Sequence, residues 1–381
     1  MNINTLTELR KKLHRNAELS GEEESTSEII ISELKKCSAD EIFKDIGGFG
    51  VLAKFSSSSK NARQAILLRA ELDAIPVQEE TGADYSSEND GIIHGCGHDG
   101  HMAILIGVAN ELQKNRPKNI DIYLLFQPAE ETGEGARRIL KDKKFKKINV
   151  DFAFALHNLP GFAQGDILVK NDVFAAGSTG IELIFKGKSS HAAYPEQGIN
   201  PSGAIADFLL KVNREFQPFR KKHPLNKAVN TFLKLGEPAF GISPGIGRIG
   251  FTLRSGSDEE LQDAVDTLRN LSAKQSDLFD GEIEIRQVEP FAATLNDPEG
   301  VEIVKKSAEL SGFEIVELVE AFPWSEDFGT FREICPITIF GLGVGEDAPP
   351  LHSEKYDFND AVIEPGIKMF VNIINQYSGS E

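Results

Sequence analysis

The chain has 381 residues and carries 41 basic against 59 acidic side chains, which gives a formal net charge of −18. This length exceeds the roughly 250–300 residues at which a single hydrophobic core stops growing, so we expect two domains. Because such an acidic surface repels phosphate groups, we expect neither nucleic acid nor an anionic membrane as a partner.

The location expected for the chain is the cytoplasm. The N-terminal residues contain no apolar signal core, and no stretch approaches the roughly 20 apolar residues that a membrane span needs. The three cysteines, Cys37, Cys96 and Cys335, are an odd number and lie far apart in the sequence. This usage argues against a disulfide framework.

The first half of the chain alternates strand candidates with helix candidates. The strand candidates are residues 51–55, 65–72, 120–126 and 152–156, and the helix candidates are residues 25–36, 101–114 and 135–140. Several of these strands are apolar on both faces, as strands covered by helices on both sides must be. We therefore predict an α/β fold with a mostly parallel sheet.

The middle of the chain has a different pattern. Its strand candidates are residues 180–187, 229–235, 248–253 and 281–288, and its helix candidates are residues 201–219 and 258–279. Their order, β-α-β-β-α-β, is that of a ferredoxin-like α+β domain. We therefore predict a small domain at residues 177–290, inserted into a larger, discontinuous domain formed by residues 1–176 and 291–381.

Side chains able to bind metal are densest between His94 and His101, a segment that also contains Cys96 and His98. Its glycines permit a sharp turn before the next helix candidate, so the thiol and the imidazole can face the same way. Thiolate and imidazole suit zinc and other late transition metals. The alternative is a turn in which these polar groups bond only to the backbone.

Further polar residues stand at the ends of strand candidates or in a loop. They are Asp73, Glu130, Glu131 and His157 after strands, and His352 in a Pro-Pro-Leu-His-Ser loop. Catalytic groups of α/β sheets lie beyond the carboxyl ends of the strands. Two adjacent carboxylates repel each other, so a sheltered pair indicates a nearby cation. Each residue alone has a structural explanation, such as a turn, a helix start or a core histidine, but their convergence predicts a metal centre.

Several segments, taken in chain order, carry a joint resemblance to known enzymes. They are residues 13–20, 69–76, 94–101, 126–131, 156–158, 187–193, 326–328 and 351–358. Together they resemble the aminoacylase and carboxypeptidase superfamily of binuclear-metal hydrolases. Within it they resemble the amidohydrolase branch that includes hippurate hydrolases, auxin-conjugate hydrolases and N-acetyl-diaminopimelate deacetylases. The segments span nearly the whole chain, and the resemblance implies that the inserted domain is a lid and dimerisation domain.

The resemblance also implies a set of site residues. The positions that match its ligands for two divalent metal ions (Zn, Mn, Co or Ni) are Cys96, His98, Glu131, His157 and His352. Glu130 matches the general base, and Asp73 matches an acidic residue that orients the metal site. His191 matches a histidine that reaches the active site of a partner subunit and assists the substrate carbonyl.

Substrate preference is less closely defined by the sequence. Arg254, at the end of a strand candidate, is either a ligand for a substrate carboxylate or an ordinary surface arginine. The chain departs from the family at Glu196, where a histidine is common, and at residues 241–244, where the family has an asparagine. These departures concern the acyl group and the amino acid rather than the metal chemistry.

The resulting hypothesis is an amidohydrolase that acts on N-acyl amino acids or related small amides, with Glu130 as the base for a metal-activated water. It is expected to form a homodimer or a higher homo-oligomer through the lid domain. Three alternatives remain: a thiol hydrolase with Cys96 as nucleophile, an aminopeptidase or dipeptidase on the same scaffold, and a metal-binding protein without catalysis. The further ligands around Cys96 argue against the first. The presence of both Glu130 and Asp73 argues against the last, since a protein that only holds metal needs no base.

Overall fold

The computed structural model describes residues 2–59 and 64–379. The strands are β1 (Glu41–Ile46), β2 (Gly50–Phe55), β3 (Gln64–Glu71), β4 (Ile120–Gln127), β5 (Phe152–Pro160), β6 (Ile167–Val169), β7 (Asp172–Ala175), β8 (Gly177–Lys186), β9 (Ser190–His191), β10 (Lys227–Leu235), β11 (Ile242–Ser243), β12 (Ile246–Ser255), β13 (Glu282–Phe291), β14 (Thr294–Asn296), β15 (Ile315–Glu317) and β16 (Ile337–Gly345).

The α-helices are α1 (Ile3–Arg15), α2 (Glu24–Lys36), α3 (His98–Lys114), α4 (Gly135–Lys141), α5 (Ser202–Glu215), α6 (Gln217–Lys222), α7 (Asp258–Ser276), α8 (Pro298–Ser311) and α9 (Ile363–Ser378). Short 3₁₀ helices occupy Phe145–Lys147, Pro195–Gln197, Asp327–Glu333 and Asp360–Val362. Among the helices formed by the described residues, none combines the length and the apolarity needed to cross a bilayer.

The larger of two compact units comprises the described residues up to 174, residues 294–321 and those from 326 onward. Its sheet has eight strands in the order β1-β2-β4-β3-β5-β16-β6-β15. The central pairings of β4, β3, β5 and β16 are parallel, whereas β1 and β2 are antiparallel to their neighbours. The predicted α/β fold with a mostly parallel sheet is confirmed.

Buried helices cover this sheet. Helix α3 is apolar nearly all round and is buried along most of its length, as expected of a helix enclosed by other elements. Helix α1 contributes Leu6 and Leu13 to the same core, and α9 contributes Met369 and Phe370. Neither α1 nor α9 was predicted from the sequence, although the apolar residues of α1 recur at helical spacing and Asn2 caps its first turn.

The smaller unit comprises residues 175–293 together with residues 322–325. Its four-stranded sheet has the order β10-β12-β8-β13 with every pairing antiparallel. Side chains of α5 and α7 pack with those of the sheet, and Phe185, Phe208 and Leu268 lie at the centre of this second core. This is the ferredoxin-like arrangement that the sequence predicts. The unit begins and ends within a few residues of the expected 177–290, and residues 322–325 were not expected in it.

Candidate metal centre

The strands β3, β4 and β5 are parallel neighbours, so their carboxyl ends meet at one edge of the sheet. Asp73 follows β3, Glu130 and Glu131 follow β4, and His157 lies within β5. Helix α3 begins at the same edge with His98. Its N-cap, Gly97, has a φ of +85°, and a Cβ at this position would lie 2.7 Å from the side chain of Asn158. Only glycine therefore fits this turn without strain.

The structure brings the five expected ligands together. Cys96, His98 and His157 form one group, and Cys96, Glu131 and His352 form another; within each group the ligand atoms lie within 4.8 Å of one another. The two groups share Cys96. Its Sγ lies 3.6 Å from Nε2 of His157, and Oε2 of Glu131 lies 3.6 Å from Nε2 of His352.

Hydrogen bonds behind the ligands set the orientation of the two buried imidazoles. Nδ1 of His98 bonds to the main-chain oxygen of Asp73 at 2.8 Å, and Nδ1 of His157 bonds to the main-chain oxygen of Asn158 at 2.9 Å. A main-chain oxygen only accepts, so each ring donates from Nδ1, and Nε2 is the atom that faces the site. Backbone acceptors of this kind are typical partners of metal-binding histidines.

Unsatisfied polar atoms at the site fit a cation. Nε2 of His98 and Oε1 of Glu131 are buried without a hydrogen-bond partner, and these two atoms face each other at 4.0 Å. Oδ1 of Asp73 is buried without a partner as well. Such atoms are rare in folded proteins because each one loses its interaction with water. A divalent ion would satisfy the two facing atoms.

The crowding of acid groups at the site also favours the binding of a cation. Burial, and then the carboxylates of Glu131 and Glu130, raise the pKa of the Cys96 thiol well above its ordinary value. Burial, opposed by His98 but aided by Asp73, raises the pKa of Glu131 to about 7. These groups resist ionisation because they are crowded with other acids in a place that excludes water. A divalent transition metal would favour the ionised forms of these groups, and sulfur, nitrogen and carboxylate donors together suit such a metal.

Glu130 lies beside these ligands rather than among them. It is 6% exposed, and its Oε1 accepts a hydrogen bond of 3.3 Å from the main-chain N–H of Asp327. Burial, followed by the carboxylates of Glu326 and Glu131, raises the pKa of Glu130 well above its ordinary value. Once ionised, a carboxylate with a raised pKa is a stronger proton acceptor than an ordinary one, which suits a general base.

Asp73 holds the main chain of a ligand. Its Oδ2 accepts hydrogen bonds from Oγ of Ser20 at 2.6 Å and from the main-chain N–H of Glu131 at 3.0 Å. Through its main-chain oxygen it also orients His98. Ser20 had no role in the sequence interpretation, although it lies in one of the segments that carry the resemblance.

His101 belongs to the histidine cluster of the sequence but faces other partners. Its Nδ1 donates to Oε2 of Glu71 at 2.7 Å, and its Nε2 accepts the main-chain N–H of Asn158 at 3.2 Å. Both ring nitrogens are therefore engaged, and no lone pair is left for a metal. Glu71 and its neighbour Arg69 were not singled out by the sequence interpretation. Charged residues inside an otherwise apolar strand are nevertheless a signal, because such groups are buried only when paired.

His191 and Arg254 belong to the smaller unit, whereas the five ligands belong to the larger one. His191 is exposed on β9, which pairs with β11, and its Nδ1 accepts the main-chain N–H of Ala193 at 3.0 Å. Nη1 of Arg254 donates to the main-chain oxygen of Pro323 at 3.0 Å and to Oγ of Ser325 at 2.9 Å. Over residues 2–59 and 64–379, Arg254 makes no ion pair with a carboxylate of the chain.

Comparison with known proteins places this geometry in a family. The family described as Peptidase family M20/M25/M40 matches residues 67–376. The hippurate hydrolase of Campylobacter jejuni is 29% identical over 373 residues, which cover 97% of this chain and 95% of that protein. The N-acetyldiaminopimelate deacetylase of Oenococcus oeni is 28% identical over 370 residues, which cover 95% of each chain.

Solved structures share the fold. The Bacillus subtilis YXEP protein, described as a dinuclear metal binding peptidase from the M20 family, superposes with a TM-score of 0.80 at 23% identity, covering 100% of this chain and 99% of that one. A tripeptidase of Staphylococcus aureus superposes with a TM-score of 0.71 at 16% identity and covers 100% of both chains. At such identities these likenesses establish the fold alone.

The helix that carries His98 is also tied to α1 by a buried ion pair. Nδ1 of His14 lies 2.8 Å from Oδ2 of Asp99, and Nε2 of His14 lies 3.4 Å from Oε1 of Glu79. Burial lowers the pKa of His14, but the carboxylates of Asp99 and Glu79 outweigh it and raise the pKa from 6.5 to about 9. His14 is therefore charged in the folded protein at neutral pH.

This raised pKa predicts a loss of stability at alkaline pH. The folded form holds the proton of His14 more tightly than the unfolded form, so its contribution is fully present below pH 6.5 and is lost as the pH rises through about 9. A shift of this size corresponds to about 3 kcal/mol. Urea unfolding at a series of pH values should show this decline, and His14→Gln should flatten it. If the free energy of unfolding of His14→Gln declined with pH as steeply as that of the parent, His14 would not be the source of the decline.

Proposed function

The chain belongs to Peptidase family M20/M25/M40, and on this basis we propose that it hydrolyses the amide bond of N-acyl amino acids with two divalent metal ions. Membership of the family makes it a hydrolase. The observation that carries the proposal is the pair of ligand groups that share Cys96. Relatives named hippurate hydrolase and N-acetyldiaminopimelate deacetylase support the substrate class.

Five side chains would hold the ions. His98 and His157 form one group with Cys96, and Glu131 and His352 form the other group with Cys96, so these side chains would be the ligands. Thiolate, imidazole and carboxylate together suit Zn, Mn, Co or Ni. When bound, such ions lower the pKa of water and polarise the substrate carbonyl.

Glu130 would act as the general base and then as the general acid. It takes the proton of the attacking water and delivers it to the nitrogen of the leaving amine, so that the amide bond breaks without a free amide anion. Asp73 keeps Glu131 and His98 in place through the bonds described above. Cys96 serves as a ligand rather than a nucleophile, since its thiol lies among further candidate ligands.

Two residues of the smaller unit would act on the substrate. His191 is exposed, and its hydrogen bond with the main chain uses Nδ1. Its Nε2 can therefore donate to a substrate carbonyl oxygen that gains negative charge. Arg254 carries a charge that no carboxylate of the described residues neutralises. A guanidinium with donors to spare is suited to the free carboxylate of an N-acyl amino acid.

The substrate class can be tested with purified protein and added metal. We expect hydrolysis of N-acetyl, N-benzoyl or indole-acyl amino acids, loss of this activity in chelator, and recovery on addition of Zn, Mn, Co or Ni salts. Liberated amino acid is the measured product. Cleavage of free dipeptides in preference to every acylated amino acid would instead support the aminopeptidase alternative. Activity that survives chelation and leaves an acyl-enzyme would support the thiol hydrolase.

Variants separate the proposed roles. Glu130→Gln should lower kcat by roughly 10²–10⁴-fold, the usual contribution of general acid–base catalysis, while metal content stays unchanged.

His191→Asn should lower kcat by roughly 10²–10³-fold, as for loss of one oxyanion donor. Arg254→Met should raise KM for substrates with a free carboxylate but not for their esters. These values come from steady-state kinetics and metal analysis.

The matched control is Glu111→Gln, which makes the same chemical change on the surface of α3, where Glu111 pairs with Lys114. It should have the kinetics of the parent. Near-normal turnover of Glu130→Gln would contradict the base assignment, and an equal rise of KM for acids and esters would contradict the role of Arg254.

We also propose that the protein forms a homodimer through the smaller unit. Strand β10 is an outer strand of the four-stranded sheet, and its side chains are exposed almost throughout. Val229 is 51% and Leu233 is 48% exposed, and Phe240, in the loop that follows, is fully exposed. An outer strand with unpaired main-chain groups and apolar side chains is suited to pair with another strand. A second copy of β10 offers the same surface.

This interface predicts a change of mass. Replacing both Val229 and Leu233 by Lys should give a monomer, because like charges would face each other across the symmetric contact. Light scattering coupled to size exclusion measures the mass. The control is Leu310→Lys, at a residue on α8 that is 66% exposed, which should leave the dimer intact. A dimer in the double variant, or a monomeric parent, would contradict the proposed interface.

A further inference from the structure

A buried network of charges lies next to Glu130. Arg69 lies on β3, and its fully buried guanidinium contacts Glu71, Glu326 and Asp327. Its Nη2 lies 2.9 Å from Oε1 of Glu326 and 2.8 Å from Oδ1 of Asp327. The carboxylate oxygens of Glu130, Glu326 and Asp327 lie within 4.8 Å of one another. The proposed base is thus placed beside two further acids.

Asp327 is held rigidly within this network. Its Oδ1 accepts from Nη2 of Arg69 and from Nε2 of Gln127, at 2.8 and 2.7 Å. Its Oδ2 accepts from Nε2 of Gln127 and from the main-chain N–H of Ala136, at 2.8 and 2.9 Å. Both oxygens are therefore fully engaged, so Asp327 is not available as a metal ligand. Bonds between a carboxylate and a guanidinium are strong and directional.

The main chain of Asp327 reaches the proposed base. Its N–H donates to Oε1 of Glu130 at 3.3 Å, and within residues 2–59 and 64–379 this is the one hydrogen bond that the carboxylate of Glu130 receives. The neighbouring carboxylates of Glu326 and Glu131 repel it. A glutamate side chain has several rotamers, and holding one of them has an entropic cost. Without this N–H the carboxylate would turn away from its neighbours.

We propose that Asp327 is a positioning residue for Glu130. Its anchored side chain fixes the main chain, and the main-chain N–H then fixes the carboxylate that moves the proton. This inference rests on the proposed function, in which Glu130 is the general base. Arg69 and Gln127 act one step further away, because they hold Asp327. The effect should appear in the chemical step and not in the binding of substrate or metal.

Asp327→Asn tests this role. The amide keeps the shape of the carboxylate but directs an N–H₂ group at donors of Arg69, Gln127 or Ala136, so the segment must shift. We expect kcat to fall by roughly 10–100-fold, since small misplacement of a catalytic group has effects of this size. KM should change by less than about twofold, and the metal content and metal affinity should equal those of the parent. If Asp327→Asn fails to fold, Gln127→Met removes part of the same anchor and should act in the same direction.

The matched control is Asp360→Asn, which removes a carboxylate from another buried arginine, Arg10, outside the proposed site. It should lower the unfolding midpoint without lowering kcat. The decisive measurement adds Asp327→Asn to Glu130→Gln. If Asp327 acts through Glu130, the double variant should be no more than about twofold slower than Glu130→Gln alone. A double variant whose kcat is lowered by the product of the two single effects would overturn the proposal.

Other outcomes distinguish this inference from the proposed function. A fully active Asp327→Asn beside an inactive Glu130→Gln overturns the inference alone. Loss of metal from Asp327→Asn also overturns it, because the residue would then act on the ligands. Near-normal turnover of Glu130→Gln overturns the base assignment and this inference together.

Discussion

The structure depends on the burial of more acid groups than the chain can neutralise at one edge of a sheet. Glu71, Asp73, Glu130, Glu326 and Asp327 are all nearly or fully buried there, and the buried cation that contacts three of them is Arg69. Burying ionised groups is costly unless they are paired. Arg69 offsets only part of this charge, since one guanidinium faces three carboxylates and burial still raises the pKa of Asp327 to about 7. The same edge also contains acid groups with a raised pKa, Cys96 and Glu131, and buried atoms without a hydrogen-bond partner, a setting that suits a cation.

Local backbone strain accompanies the same edge. Ala129, just before the two glutamates, has a φ of +52°, and His352 has a φ of +64°. Non-glycine residues avoid this region, and where they occupy it the surroundings must hold them there. Glu23 stabilises this conformation of Ala129, because its buried carboxylate accepts a hydrogen bond of 2.8 Å from the main-chain N–H of Ala129. The turn that carries Glu130 and Glu131 is thus stabilised by a carboxylate far away in the sequence.

The two units contribute to the proposed reaction in different ways. The larger unit holds Glu131 just after β4, His157 within β5 and His98 at the start of a buried helix, and such elements hold a site more accurately than loops do. Cys96 and His352 lie in turns. The smaller unit carries the two residues proposed to act on the substrate, His191 in an exposed two-residue strand and Arg254 near the end of β12. The chain's departures at Glu196 and residues 241–244 lie in the smaller unit, where substrate preference can vary without altering the ligands.

From the sequence alone, the periodicity of apolar residues and the order of elements determined the α/β sheet and the ferredoxin-like unit. The spacing of apolar residues along a strand or helix indicates which of its faces is buried. The spacing of polar residues after strands, joined to a resemblance over most of the chain, also singled out the residues that the structure gathers around Cys96. Only the tertiary structure decided that His101 is engaged by Glu71 and Asn158, that Arg69 joins three acids, and that the N–H of Asp327 meets Glu130. These contacts join residues as many as 258 positions apart, and which of several charged groups finally pair is settled by packing that no local pattern contains.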